Sequence, residues 1–209
     1  ATHLVDVAEP DVAMTAGRWA GLAATAVEAI HQRGHWPLVV GGAGLYWRAL
    51  VRGLAAIAPI EPALRAELGL RWQHAGAQAL HAALAAVDPA YAAQTPVANR
   101  QRVLRALEVH AATGRSLSDW HLATPAPRFC AWLAVLTPER AGHAAAVTAR
   151  AQAMAAPLLV ETASLLTGGL SPDAAAMQAL GYRDAAAVAL GQASAQGFSD
   201  RLTRDHLQY

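Results

Sequence analysis

The stretch Trp36-Pro-Leu-Val-Val-Gly-Gly-Ala-Gly-Leu-Tyr-Trp-Arg-Ala-Leu50 decides the expected fold. Residues 37–40 form a short apolar run with two β-branched valines, which predicts a buried strand. Gly41, Gly42 and Gly44 predict a sharp turn at which a ligand can approach the backbone closely. Helical spacing over residues 45–51 predicts a helix whose first N–H groups face that turn. Such a turn at the end of a parallel strand suits a phosphate or a base edge.

This glycine turn has two interpretations when the stretch is taken alone. It is not a P-loop, because the Gly-Lys-Ser/Thr ending is absent. Many α/β folds contain a similar strand, turn and helix for packing reasons only. A ligand-binding turn and a purely structural turn therefore both remain open.

Length and composition limit the kind of protein. The chain has 209 residues, enough for one large domain or two small ones. Its net charge is +1, so no overall field attracts nucleic acid. All sixteen basic residues are arginine, which binds phosphate through two parallel hydrogen bonds and stacks on bases. Any surface for nucleic acid must therefore be local.

The single cysteine and the lack of a long apolar run indicate a cytoplasmic protein. Cys130 lies in the apolar run 129–135, where we expect it to be an inert core residue. One cysteine excludes an internal disulfide and a cysteine metal cluster. No apolar run reaches the roughly 18 residues of a membrane span, so we expect no membrane association. The chain begins without Met and stops inside a helical pattern, so we expect both ends to be cut.

The order of predicted elements indicates an α/β core with a helical insertion. Strand patterns occur at residues 3–7, 37–41 and 129–136, and helical patterns fill the rest, including everything from residue 138 onward. The first helix is expected over 16–32 after Thr15, and the next over 44–52. Between residues 59 and 123 only helical patterns follow one another, at 62–74, 76–86, 99–113 and 116–120. We therefore expect a parallel-sheet core formed by residues 1–58 and 124–209, interrupted by an all-helical insert at 59–123.

The second informative stretch is Asn99-Arg-Gln-Arg-Val-Leu-Arg-Ala-Leu-Glu-Val109. Asn99 can cap a helix on which Arg102 and Arg105, three residues apart, share a face. Gln101 is adjacent, and Gln and Arg together can contact phosphates and base edges. The alternative is a solvated helix face on which the arginines pair with Glu108. The spacing alone leaves both interpretations open.

Other candidate groups are weaker. Arg183 follows Gly181 and Tyr182, and an arginine beside a glycine turn can reach an anion in a cleft. The alternative is an exposed arginine after a helix C-cap, which the sequence alone favours. The nine histidines show no spacing that places two ligands on one face, so no metal-ligating residue is expected. No serine or cysteine is tied to a histidine and a carboxylate as in a nucleophilic triad.

Taken together, these motifs resemble the tRNA dimethylallyltransferase family. The matching segments keep the family's order and spacing from residue 3 to about residue 191. They are the His-Leu-Val-Asp entry at 3–6, the glycine turn at 40–46, the Gln-Arg-x-x-Arg-Ala-Leu-Glu-Val helix at 101–109, the Thr-Gly-Arg-Ser-Leu-Ser segment at 113–118 and the Met-x-Ala-x-Gly-Tyr-Arg segment at 177–183.

The resemblance implies a P-loop-NTPase-like parallel sheet and a helical insert that grips the anticodon stem-loop of tRNA. The implied reaction moves a dimethylallyl group from dimethylallyl diphosphate to N6 of adenosine 37, with Mg²⁺ as cofactor and a monomeric enzyme. By analogy, RNA is held by Arg65, Gln101, Arg102 and Arg105. Gly41, Gly42 and Gly44 belong to the substrate site, and Arg183 faces the diphosphate.

The chain also departs from the family pattern. The family's P-loop and general-base aspartate are expected before Ala1, and the threonine of its glycine turn is Ala43 here, so a hydroxyl expected at the reaction centre is missing. We therefore expect this chain to be an inactive piece of the working transferase. The alternative is a degenerate homologue that binds RNA without catalysis. A relative acting on free adenine nucleotides is a third option, which the intact helix at 101–105 disfavours.

Overall fold

The computed structural model describes residues 1–123 and 127–208. These residues form two compact units, which are described separately. The N/C unit comprises residues 1–37 and 132–209, and the middle unit comprises residues 38–131. Within the described ranges the regular structure is entirely helical: α1 Ala16–Gln32, α2 Gly44–Arg52, α3 Pro62–Val87, α4 Pro89–Ala93, α5 Arg100–Thr113, α6 Leu117–Leu122, α7 Arg140–Thr167, a 3₁₀-helix Ala175–Gln178, α8 Tyr182–Ala189 and α9 Phe198–Gln208.

Local sequence signals set most helix starts and ends as predicted. The Thr15 side chain accepts a hydrogen bond from the Arg18 N–H at 3.2 Å, which caps α1. Asn99 caps α5 in the same way through the Arg102 N–H at 3.1 Å. Gly76 takes a positive φ of 81° and kinks α3 where the sequence predicts a break. Short polar side chains are favoured at helix N-termini because they bond N–H groups that lack a partner within the helix. Glycine is favoured at the kink because it adopts left-handed backbone readily.

The middle unit is built around the packing of α3 on α5. The buried apolar residues of this core come from α3, α4, α5 and α6, among them Leu84, Val103 and Val109. Half-buried His81 of α3 donates from Nε2 to the carbonyl oxygens of Ala92 and Thr95, at 3.2 and 2.9 Å. This hydrogen bonding fixes the end of the short helix α4, which the sequence did not reveal. The unit therefore holds α5 firmly against α3.

The N/C unit packs α7 against α8 and α9. Alanines at 151 and 155 on α7 and at 185 on α8 are buried, so the helix backbones approach closely. Leu158, Phe198 and Leu202 fill the remaining space. The backbone N–H of Ala176 donates to the Pro10 carbonyl at 2.9 Å, which ties the N-terminal segment to the 3₁₀-helix.

The predicted α/β fold class, with its P-loop-NTPase-like parallel sheet, is wrong for residues 1–123 and 127–208, because they contain no strand. Leu4 and Asp6 have φ values of 62° and 55°, which a strand cannot accommodate. The other two predicted strands are irregular and exposed: Val40 is 85% exposed and Leu136 is 90% exposed. A parallel strand must be covered on both faces and paired at its edges, and these described segments have neither.

Two further sequence expectations meet different outcomes. The sequence predicts Cys130 in the core, but it is exposed, as are residues 131–136, so that expectation is wrong. The boundaries of the helical insert at residues 59 and 123 stay a prediction, although residues 59–123 carry only helices as regular structure. None of the helices in the described residues is both long and apolar enough to cross a membrane.

Candidate functional site

Three charged residues from α3 and α5 meet in the middle unit, and we call them the arginine–glutamate cluster: Arg65, Arg105 and Glu108. The Arg65 Nε donates to Glu108 Oε1 at 2.8 Å, and its Nη2 donates to Oε2 at 3.2 Å. Arg105 Nη1 donates to Glu108 Oε2 at 2.8 Å. One carboxylate therefore binds two guanidinium groups, one of them through a two-pronged contact.

The cluster is buried on its acidic side and open on its basic side. The Glu108 side chain is 4% exposed, whereas Arg65 is 70% and Arg105 is 39% exposed. Burial disfavours the charged form of Glu108, but the hydrogen bonds from both arginines outweigh this and hold the pKa of the carboxyl below its usual value. The hydrogen bonding of Arg65 to Glu108, together with the charge of that carboxylate, raises the pKa of Arg65. At neutral pH the cluster carries a net charge of +1, and its cationic groups face solvent.

The first turn of α5 adds further polar groups next to this cluster in sequence. Gln101 and Arg102 are exposed there. Arg100 lies over α3: a Cβ placed on Gly69 would come within 3.2 Å of the Arg100 Nη2. Gly69 follows Arg65 by one helical turn, so both lie on the face of α3 that meets α5. Arg100 is therefore a basic residue at this helix pair that the sequence reasoning did not single out.

The glycine turn precedes α2 in the middle unit and is open. A Cβ added at Gly41, Gly42 or Gly44 would meet nothing within 4 Å. None of the three has a positive φ, so the turn itself does not require glycine. The helix predicted after it is confirmed as α2, and Ala43 stands at its N-cap without a side-chain hydrogen bond. The turn has room for a ligand next to the backbone, and its role as a substrate site stays a prediction.

Ala43→Thr is expected to raise the free energy of unfolding of the middle unit by about 0.5–1 kcal/mol, because a threonine hydroxyl at an N-cap accepts a bond from an orphan N–H of the first turn. Urea unfolding followed by circular dichroism measures this. Ala43→Val adds the same bulk without the hydroxyl and serves as the control. Equal stability of the two variants would show that the hydroxyl does not cap α2.

Arg183 lies in the first turn of α8 in the N/C unit and is exposed. Its guanidinium donates to the side-chain oxygen of Gln178 in the 3₁₀-helix. The neighbouring Tyr182 hydroxyl donates to Glu161 Oε1 at 3.0 Å, and burial together with this carboxylate raises the pKa of Tyr182. Gly181 enters α8 with a φ of 88°. Arg183 is therefore held beside a rigid turn, and its contact with a diphosphate stays a prediction.

The structure brings together only part of the predicted site. Arg65 and Arg105 meet through Glu108, although 43 residues separate Arg65 from Glu108. The sequence offered Glu108 as a partner for α5 arginines, because Arg105 lies three residues before it. Nothing local in the sequence indicated that Arg65 would join them. In the described part of the chain, no three His, Cys, Asp or Glu side chains are grouped as metal ligands.

Comparison with known proteins identifies the family of this chain. The family model described as IPP transferase matches residues 1–209. The chain belongs to the IPP transferase family. Among curated relatives, the tRNA dimethylallyltransferase of Thermomicrobium roseum is 38% identical over 208 residues, which cover 99% of this chain and 63% of the relative. The tRNA dimethylallyltransferase of Parvibaculum lavamentivorans is 41% identical over 207 residues, covering 93% of this chain and 64% of the relative. The chain thus spans less than two thirds of the length of these IPP transferases.

Two solved structures of tRNA isopentenylpyrophosphate transferases are also similar to this chain. The full-length tRNA isopentenylpyrophosphate transferase of Bacillus halodurans matches with a TM-score of 0.63 and 29% identity, covering 99% of this chain and 65% of that protein. The corresponding transferase of Staphylococcus epidermidis matches with a TM-score of 0.59 and 26% identity, covering 98% of this chain and 67% of that protein. The likeness therefore extends over nearly the whole chain.

Proposed function

We propose that the protein modifies tRNA by transferring a dimethylallyl group from dimethylallyl diphosphate to N6 of adenosine 37. The observation that carries this proposal is the family match over residues 1–209, together with relatives named for this transfer. The open basic side of the arginine–glutamate cluster supports an RNA substrate, because paired guanidinium groups suit phosphate. A cytoplasmic location and a monomeric state belong to the same proposal.

The proposed roles divide between the two units. In the middle unit, Arg65, Gln101, Arg102 and Arg105 bind the anticodon stem-loop. The glycine turn at 41–44 lies next to the substrate. In the N/C unit, Arg183 binds the leaving diphosphate, whose negative charge grows as the carbon–oxygen bond breaks.

The proposed transfer also requires a base and a pocket that takes up the adenine. N6 of adenine is a poor nucleophile, so a base must take its proton as the new bond to carbon forms. The adenine must leave its stack to reach a dry pocket. Mg²⁺ remains proposed for the diphosphate. The described residues offer no group of three His, Cys, Asp or Glu side chains as ligands for this ion.

Deletion of the gene in the source organism tests the proposal most directly. Total tRNA is digested to nucleosides, and N6-isopentenyladenosine with its derivatives is quantified by mass spectrometry. We expect the modification to disappear and to return when the intact gene is restored. An unchanged level would show that another gene performs the transfer and would favour RNA binding without catalysis.

Arg105→Ala is expected to weaken binding of an anticodon stem-loop RNA about tenfold and to reduce the slope of log affinity against log salt by about one, because one phosphate contact is lost. Filter binding at several salt concentrations measures both quantities. Arg204→Ala removes the same charge from an exposed position on α9 and is the control. If Arg105→Ala binds like Arg204→Ala, Arg105 does not contact the RNA.

A further inference from the structure

We propose that Glu108 is a positioning residue that holds Arg65 and Arg105 as a preformed pair for RNA phosphate. This inference rests on the proposed function, since it assigns the element that orders its RNA-binding arginines. Glu108 itself is buried, so it does not contact the RNA and acts only through the two guanidinium groups.

The hydrogen-bond pattern leaves the outward groups available. Glu108 takes Nε and Nη2 of Arg65 and Nη1 of Arg105. The two-pronged contact therefore fixes the guanidinium plane of Arg65 from the buried side, and Arg105 is held through one of its donors. Nη1 of Arg65 and Nη2 of Arg105 are not used by this carboxylate. An anion at the outer edge of the cluster meets donors whose directions are already set.

The arrangement differs from an ordinary surface ion pair. A surface pair joins two exposed and mobile side chains and contributes little to stability. Here a carboxylate 4% exposed joins arginines from two different helices, and the core packing of α3 on α5 fixes its backbone. Long side chains that are ordered before binding lose less entropy when the ligand arrives. Glu108 thus raises RNA affinity although its own charge repels phosphate.

The positioning role and simple charge repulsion predict opposite changes in RNA affinity when the negative charge of Glu108 is removed. Coulomb's law alone predicts that removing any nearby negative charge tightens RNA binding. The positioning role predicts the reverse for Glu108→Gln: about two- to tenfold weaker binding, which corresponds to ordering one long side chain at an interface. Glu67→Gln removes the same charge from an exposed site on α3 and is the matched control, for which equal or tighter binding is expected. The probe is a synthetic anticodon stem-loop RNA with adenosine at position 37.

A double-mutant cycle separates positioning from a merely structural role. If Glu108 acts through its arginines, Glu108→Gln has a smaller effect on RNA affinity in an Arg105→Ala background than in the wild type. Circular dichroism and thermal unfolding establish that each variant is folded at the temperature of the binding experiment. A full and independent effect of Glu108→Gln in both backgrounds would overturn the positioning role.

A measurement on the unaltered chain covers the case in which Glu108→Gln does not fold. Nuclear magnetic resonance of arginine side chains is expected to show a slowly exchanging, ordered Nε–H for Arg65 in the free protein and a mobile one for exposed Arg102. Equal mobility of the two would contradict a preformed pair.

The outcomes distinguish this inference from the proposed function. If the wild-type chain binds the stem-loop and the Glu108→Gln variant binds it equally tightly or more tightly, the positioning role is overturned. The proposed function then still stands. No binding of the stem-loop by the wild-type chain would overturn both the positioning role and the RNA contacts assigned to the middle unit. The nucleoside measurement after gene deletion remains an independent readout of the transfer.

Discussion

Gly181→Ala is expected to lower the free energy of unfolding of the N/C unit by about 4 kcal/mol, the sum of backbone strain and overpacking of about 1–3 kcal/mol each. Gly181 has a φ of 88°, which an L side chain rarely adopts. A Cβ placed there would come within 2.5 Å of Leu202 Cδ1 and 2.9 Å of Leu158 Cδ2. Both leucines are buried in the core between α7 and α9, where they have little room to move.

Gly191→Ala separates the two causes of this loss. Gly191 also has a positive φ, of 71°, but a Cβ there would meet nothing within 4 Å. The control variant therefore carries the backbone strain without the overpacking, and we expect it to lose about 1–2 kcal/mol. Urea unfolding followed by circular dichroism compares the two. Equal losses would mean that the leucines move aside without cost.

Asp88→Ala is expected to lower the free energy of unfolding of the middle unit by about 2 kcal/mol at neutral pH. The cap of α4 and a buried hydrogen bond to the first turn of α6, each worth about 1 kcal/mol, are lost. Buried Asp88 accepts from the Tyr91 N–H at 3.0 Å and from the Ser118 N–H at 2.9 Å. It thereby caps α4 and also bonds the first turn of α6, 30 residues away. Glu67→Ala, at an exposed position on α3, is the control.

The effect of Asp88→Ala should depend on pH in a defined direction. Burial disfavours the Asp88 carboxylate, but hydrogen bonds from the N–H and the hydroxyl of Ser118 and from the N–H groups of Tyr91 and Leu117 outweigh this. They hold its pKa below the ordinary value of 3.8. A group whose folded-state pKa is lowered stabilises the protein above its ordinary pKa, and this contribution is lost as the pH falls below it. The difference between wild type and variant should therefore be full at pH 7 and shrink below about pH 4. A difference that stays constant down to pH 2 would show that Asp88 does not act through its charge.

The sequence predicted most helices but failed for the sheet, and the reasons differ. Helix α5 begins after Asn99 and α1 after Thr15 because a short polar side chain bonds a nearby N–H, which depends only on local sequence. The run at 37–40 has the composition of a buried strand. A strand, however, forms only when other segments pair with it and cover it, and the described residues supply neither here.

The candidate site shows the same division. The pairing of Arg105 with Glu108 follows from a spacing of three residues on one helix. The family motifs at 101–109 and 177–183 indicated Gln101, Arg102, Arg105 and Arg183 as candidate residues from the sequence alone. The place of Arg100 over Gly69 depends on how closely α3 and α5 approach, and helical spacing along one segment carries no such information.

By itself the sequence determined the family and the helix caps, and it named the residues proposed for RNA and diphosphate, because these depend on residue identity and short spacing. Only the tertiary structure decided that Glu108 is buried and shared by Arg65 and Arg105, since a contact across 43 residues depends on the packing of α3 on α5. It also decided that Asp88 joins α4 to α6 and that Gly181 lies against Leu158 and Leu202. Core packing brings distant segments together, and no local pattern encodes which side chains then meet.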